Sequence, residues 1–331
     1  MRSAVKRMAL DLSGAVVLTE AATGPYAVTP VLAALSGADR VYATASRARG
    51  DDGRVAWAET HALAARLDVA ARLELVTVPS RDVTTRADII TNSGHVRPID
   101  DRLVGWMKPT AVVPLMYEAW EFRSGDVDVA ACARRGIAVA GTNERHPAVD
   151  VFPYLGVMAV KLLTDAGMAV HGLRVLLLSD NAFAEFIQRG LVGLGAQVDL
   201  ASALPLNGTQ RPHDAIVVAL RPRVEPVLTA ADARMIAEAW PGAVVAQFWG
   251  DLDRSALDAA GVPVWPPTAP EPGHMGILPS ALGPEPIVRL QAAGLKVGEI
   301  LWRQRRAGRS VADSLAALVT SGYGTTLPPG P

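Results

Sequence analysis

Cysteine is almost absent from this chain: among 331 residues only Cys132 occurs. An intramolecular disulfide is therefore impossible, and zinc sites built on several cysteines are excluded. Long apolar runs are missing as well. The longest, residues 151–160, falls far short of the roughly 20 residues that a membrane-spanning helix needs. Charge of one sign is missing too, since 32 basic and 33 acidic residues leave a formal net charge of −1. No broad basic field points to nucleic acid or an anionic membrane as a partner. Lysine is confined to Lys6, Lys108, Lys161 and Lys296; the other basic residues are arginine. At the N-terminus, MRSAVKRMALDLSGAVVL carries basic residues, but Asp11 and Ser13 break its apolar run and leave no signal-peptide core. A soluble, cytoplasmic protein is expected.

What is present is a large core. Half of the residues are hydrophobic and a fifth charged, enough for two domains of ordinary size. Short apolar runs alternate with amphipathic segments, which is the pattern of a mainly parallel α/β sheet. Strands are expected at Ala15–Thr19, Arg40–Ala45, Leu73–Val78, Ala87–Thr91, Ala111–Leu115 and Ile137–Ala140. A second series is expected at Val175–Leu178, Gln197–Leu200, Ala215–Leu220, Ala243–Gln247 and Val262–Trp265. Charge and glycine punctuate the joint SRARGDDGR at 46–54. A long apolar helical pattern covers Pro147–Ala166, with Pro153 near its first turn or at a kink, and a last helix lies near Pro286–Arg305. The tail GYGTTLPPGP reads as mobile. The fold class is α/β, with two Rossmann/flavodoxin-like doubly wound parallel sheets and a cleft between the domains.

Glycine is missing from one telling place. Residues 175–200, VLLLSDNAFAEFIQRGLVGLGAQVDL, read as strand, polar turn, helix and second strand. A dinucleotide fold carries Gly-x-Gly-x-x-Gly at such a turn, for tightness, for close approach of pyrophosphate and for helix–strand packing. This chain has Ser179, Asp180, Asn181, Ala182, Phe183 and Ala184 there. Ala184 can fill the third role. Asn181 tolerates a left-handed backbone, but its side chain obstructs a pyrophosphate, and Asp180 adds negative charge. These six residues are the candidate cofactor contacts, and they disfavour the ordinary pose of NAD(P).

Ligands of doubly wound sheets sit at the carboxyl ends of strands, so the loops that follow strands carry the candidates. In 19–30, TEAATGPYAVTP, Gly24 and Pro25 precede a helix whose amides can receive an anion, or they form an ordinary turn. In 91–98, TNSGHVRP, Asn92, Ser93 and Gly94 make a polar turn, and Arg97 can grip a carboxylate with its guanidinium fork. In 115–122, LMYEAWEF, Tyr117, Glu118, Trp120 and Glu121 place two carboxylates among aromatics; paired carboxylates can split their pKa values for acid–base work. Asn143 in GTNERHP can orient a substrate or fix the turn, and Glu144 beside it reads equally as part of a helix start. Trp249 lies at a strand end in QFWGDLDRSAL, where Asp251 or Asp253 caps the next helix. In APEPGHMG, a proline-framed His274 with Glu271 nearby is the best general acid/base pair. No metal site is expected.

Taken in order, these segments resemble the D-isomer-specific 2-hydroxyacid dehydrogenase superfamily, of the formate/glycerate dehydrogenase type. ADIITNSGHVRPIDDRLVGWMKPTAVV, DVDVAACARRGIAVAGTN, HDAIVVALRPRVEP, AVVAQFWGDLDRSAL and PGHMG carry the resemblance, over roughly 87–305. It implies an N-terminal flavodoxin-like substrate domain over 1–146, completed by about 286–331, and a Rossmann-like nucleotide-binding domain over 147–285, with the helix from Pro147 joining them. It implies NAD(P), a small polar, carboxylate-bearing substrate and a homodimer. It makes His274 the proton donor and acceptor, and it sets Asn92, Ser93 and Gly94 where backbone amides hold the substrate carboxylate, opposite the Tyr117–Glu121 wall. The sequence departs from the pattern at two coordinated places: the fingerprint glycines are absent, and the substrate-binding arginine falls on Trp249, which carries no charge.

Two functions follow. One is a diverged NAD(P)-dependent oxidoreductase. The other is a non-redox enzyme on the same scaffold (lyase, isomerase, hydrolase or condensing enzyme) in which His274 and Glu118, Glu121 or Glu271 exchange protons and NAD(P) no longer binds. A non-catalytic ligand-binding protein is the third reading.

Overall fold

The structure, a computed structural model, describes residues 1–45, 53–205 and 212–327. Most of the 46–54 joint and the last four residues of the tail lie outside the described residues. The chain forms two compact units, Met1–Val151 with Gly283–Pro331, and Phe152–Leu282.

In the first unit the strands are β1 (Val16–Glu20), β2 (Arg40–Thr44), β3 (Leu73–Val76), β4 (Ile89–Ile90), β5 (Val112–Pro114), β6 (Ala138–Thr142) and, near the C-terminus, β12 (Gly324–Thr325). Its helices are α1 (Arg2–Arg7), α2 (Val28–Leu35), α3 (Arg54–Ala65), α4 (Arg81–Arg86), α5 (Asp101–Trp106), α6 (Val129–Arg135), α11 (Pro284–Arg306) and α12 (Val311–Ser321). The second unit holds β7 (Arg174–Ser179), β8 (Gln197–Ala201), β9 (Ala215–Ala219), β10 (Val244–Trp249) and β11 (Val264–Trp265). Its helices are α7 (Tyr154–Asp165), α8 (Phe183–Gly193), α9 (Ala230–Ala239) and α10 (Arg254–Ala259).

The sheet orders are β12-β6-β5-β4-β1-β2-β3 and β11-β10-β9-β7-β8. All pairings are parallel except β12 with β6. Both sheets are doubly wound, with their switch points between β1 and β4 and between β7 and β9. By strand order the two expected labels change places. The first unit has the 3-2-1-4-5-6 order of dinucleotide-type sheets, and the second has, counted within itself, the flavodoxin-type 2-1-3-4-5. The physical difference is β3, which adds beyond β2, whereas no strand adds beyond β8 among the described residues.

Strand periodicity explains how continuous apolar runs fill both faces. In β7, Val175 and Leu177 join one buried cluster while Leu176 and Leu178 join the opposite one. In β1 and β4, Val17 and Ile89 share one face, and Leu18 and Ile90 the other. Helices cover both faces, as parallel sheets require. α7 and α8 cross at two glycines: a Cβ on Gly156 would lie 2.6 Å from the Phe186 carbonyl, and one on Gly190 would lie 2.5 Å from the Gly156 Cα.

Two expectations are corrected. The helix from Pro147 begins only at Tyr154, because Pro153 has no N–H to give the preceding turn and stands at the N-cap. The C-terminal stretch is ordered through residue 327: α12 follows α11, and β12 pairs with β6 at Gly324–Thr142 and Thr325–Gly141. No helix is long and apolar enough to cross a membrane among the described residues.

Candidate functional site

At the first switch point the polar side chains are buried and mostly engaged. Thr91 Oγ1 donates to Thr19 Oγ1 at 2.8 Å and lies 2.6 Å from Ser93 Oγ. Asn92 Oδ1 accepts from the Met116 N–H at 2.8 Å, while its buried Nδ2 has no partner. The backbone amides after Gly94 are engaged as well. His95 N–H donates to the Glu20 carboxylate at 3.0 Å, and the Val96 and Arg97 amides donate to the Ser93 carbonyl. Arg97 pairs with Asp126 at 2.9 Å, and the Tyr117 hydroxyl donates to the same carboxylate at 2.7 Å. Burial, then that carboxylate, pushes the Tyr117 hydroxyl well above its ordinary pKa. The protein's own carboxylates thus occupy Arg97, Tyr117 and the His95 amide, which flank the turn that the resemblance reserves for a substrate carboxylate. Likewise, the Gly24 amide donates to Glu59 at 2.7 Å.

The ends of β5 and β6 carry three carboxylates together. The turn bearing Glu118 and Glu121 lies directly on β6, where Gly141 makes room: a Cβ there would sit 2.4 Å from the Ala119 nitrogen. Thr142 fastens the two strand ends, its N–H donating to the Tyr117 carbonyl and its hydroxyl to the Leu115 carbonyl. Glu118 is buried and accepts from the Trp120 indole N–H and from the Glu144 amide; Glu121 accepts from the Glu118 amide. Trp120 itself is exposed. No lysine, arginine or histidine forms an ion pair with Glu118, Glu121 or Glu144 among the described residues. Burial, then the charges of Glu121 and Glu118, push the Glu144 carboxyl well above the usual carboxylate range. Crowding by the surrounding chain, with Glu118's charge, pushes Glu121 up to about 7. Glu121 keeps a water-exposed edge, which screens it, so Glu144 is the more strongly perturbed group.

From sequence alone, Glu144 reads equally as a helix-start polar group. Its signal was position: it follows a buried strand, as Glu118 does. Asn143 serves structure, donating from its side chain to the Gly322 carbonyl and from its backbone to Tyr323, which docks β12. No group of three or more His, Cys, Asp or Glu side chains can hold a metal among the described residues. Burial, then Asp128, pushes the Cys132 thiol up to about 12, which leaves it unreactive.

In the second unit His274 is exposed on a firmly held turn. Its N–H donates to the Glu271 carbonyl at 2.9 Å, and Nδ1 lies 3.3 Å from the Pro272 carbonyl. Glu271 therefore frames His274 through its backbone; its carboxylate makes no hydrogen bond or ion pair among the described residues. Trp249 Nε1 donates to the Gly273 carbonyl at 3.1 Å, and both Asp251 oxygens accept from the Gly273 amide. Asp251 thus holds this turn, while Asp253 caps α10. Gly276 is pressed on β10, where a Cβ would meet the Gln247 carbonyl at 1.9 Å.

The Ser179–Ala184 turn opens α8 at the second switch point. Asn181 Oδ1 accepts from the Phe183 amide at 3.0 Å, and Nδ2 donates to the Ala219 carbonyl at 2.8 Å. Asp180 accepts from the Arg221 amide at 3.0 Å and pairs with Arg223 at 3.5 Å. Burial opposes its charge, but the bonds from Asn181 and Arg221 prevail and hold Asp180 below its ordinary pKa. Phe183 is buried against Trp249, ring centroids 5.2 Å apart. Ser179 Oγ is buried without a partner. No residue from 179 to 184 has positive φ. These residues do not fit a dinucleotide in the pose that the resemblance implies.

No family model matches the chain, and no curated protein matches it. Solved structures do match. One is a component of dipicolinate synthase from Bacillus halodurans, at 13% identity and a TM-score of 0.53, covering 85% of this chain and 96% of that one. Another is a dipicolinate synthase polypeptide from Bacillus subtilis, at 12% identity and 0.52, covering 91% and 100%. NAD-dependent formate dehydrogenase from Staphylococcus aureus in complex with NAD matches at 11% identity and 0.41, covering 87% and 94%. The likeness to the two dipicolinate synthase structures is one of fold alone, in two mainly parallel-sheet α/β units.

Proposed function

We propose that this chain is a non-redox enzyme that moves protons on a small polar metabolite, using the carboxyl groups at the ends of β5 and β6. The observation that carries this reading is the grouping of Glu118, Glu121 and Glu144 with no cation paired to them among the described residues. Like charges forced together keep one carboxyl protonated near neutrality while another stays ionised, which supplies an acid and a base side by side. Glu144 is the acid, and Glu118, held by two N–H donors, is the carboxylate placed beside it. Chemistry of this kind serves a lyase, an isomerase, a hydrolase or a condensing enzyme.

The test is to incubate the purified protein with a pooled extract of small metabolites, without added nicotinamide, and follow changes by mass spectrometry. Turnover that Glu144→Gln abolishes while remaining folded supports the reading. Equal turnover by the variant defeats it.

NAD(P)-dependent oxidation or reduction of a small polar metabolite is the second reading, favoured by His274. Nδ1 faces the Pro272 carbonyl, which only accepts, and this leaves Nε2 as the ring nitrogen available for proton exchange. Turnover that appears only with added NAD(P), and is lost in His274→Ala, would select it.

A further inference from the structure

We infer that the β7–α8 turn is closed from within, Asn181 and Asp180 latching it and Trp249 and Phe183 filling it, so that the second unit takes no dinucleotide there. The inference stands apart from the carboxylate chemistry of the first unit. Either can fail without the other.

Three independent features agree. First, two of the helix-start donors are taken. A phosphate at a helix N-terminus is held by free backbone N–H groups. Here Asn181 Oδ1 already accepts from the Phe183 amide, and the Ala184 amide donates to the Asn181 carbonyl at 3.3 Å. The same asparagine ties the turn to the end of β9 through its bond to Ala219. A pyrophosphate would have to break both anchors of one side chain.

Second, the charge is wrong. The Asp180 carboxylate is ionised and held in place by the Arg221 amide, the Asn181 amide and Arg223. The neighbouring cation is thus engaged by the protein's own anion, and a dinucleotide would bring two further negative charges against Asp180.

Third, the space is filled. β10 carries a register shift between Gln247 and Trp249. Phe248 is the extra residue, and both it and Trp249 join the cluster on the α7–α8 face. Phe183 meets Trp249 at 5.2 Å, Phe152 at 5.9 Å and Phe248 at 6.3 Å between ring centroids. Trp249 also holds the His274 turn through Gly273. The residue standing where the resemblance calls for an arginine therefore closes one loop and anchors another.

The experiment is a titration of the full chain with NADH and NADPH, read by nucleotide fluorescence and by hydrogen exchange of residues 179–186. Expected are no saturable binding below about 1 mM and unchanged exchange at the turn. Binding that leaves exchange at 179–186 unchanged also supports closure, since the nucleotide then sits elsewhere. Sub-millimolar binding that slows exchange there would overturn it. A second measurement tests the latch itself. Asn181→Ala should lower Tm by a few degrees, as expected for the loss of its bonds to the Phe183 amide and the Ala219 carbonyl in a chain of this size, and should speed exchange at Phe183 and Ala184. An unchanged Tm with unchanged exchange would show that Asn181 latches nothing.

Discussion

The indole N–H of Trp249 donates to the carbonyl of Gly273 at 3.1 Å, so that the end of β10 holds the turn carrying His274. Asp251 grips the amide of the same glycine. Trp249→Phe keeps a ring against Phe183 but removes the donor. It is expected to cost about 1 kcal/mol, the net worth of one hydrogen bond, and to speed hydrogen exchange at residues 271–276. Trp249→Ala also empties the aromatic cluster and should cost about 3–5 kcal/mol. Denaturant titration of both variants checks the difference.

Gly141→Ala tests how the carboxylate turn is placed. Its Cβ would fall 2.4 Å from a backbone nitrogen, which cannot yield as a flexible side chain can. A loss of about 1–3 kcal/mol is expected. The fluorescence of exposed Trp120 should shift with the turn. A variant as stable as the parent would mean that the turn does not rest on β6.

The packing of α7 on α8 predicts an unusual helix substitution. Alanine for glycine within a helix ordinarily gains roughly 0.5–1 kcal/mol. At Gly190 the new methyl would meet the Gly156 backbone at 2.5 Å. Overpacking of about 1–3 kcal/mol wins, and thermal denaturation of Gly190→Ala should show a lower Tm than the parent.

The carboxylate group predicts a pH dependence of stability. A carboxyl whose pKa is raised by folding binds its proton more tightly in the native state. Its favourable contribution is fully present below the unfolded value of 4.5 and is lost as pH rises through about 7 for Glu121, with Glu144 shifted in the same direction. Stability should therefore fall across that window. Glu144→Gln should flatten the fall and be more stable than the parent above about 7. Chemical denaturation at a series of pH values measures both. An unchanged slope would mean that folding does not shift the Glu144 carboxyl.

Much of this protein was settled by its sequence alone. Eleven strands were legible because most are short apolar runs bounded by turn residues, and local periodicity does not depend on distant contacts. The missing fingerprint glycines were legible for the same reason, since Ser179 to Ala184 are contiguous. The C-terminal strand was not, because Gly324 and Thr325 become a strand only by pairing with β6. The extent of the helix after Pro147 was misjudged because its apolar pattern runs on through Pro153, where the backbone cannot.

The choice among side chains was decided by tertiary structure. Arg97 and Tyr117 looked free for a substrate until Asp126, distant in the chain from Arg97, claimed both. Glu144 looked like a helix-start residue until the parallel pairing of β5 with β6 brought it beside Glu118 and Glu121. Sequence sets which groups a chain owns and where its strands end. Which of those groups is spent on another, and which is forced against its like, is set by strand order, because only that order brings remote loops to one end of a sheet.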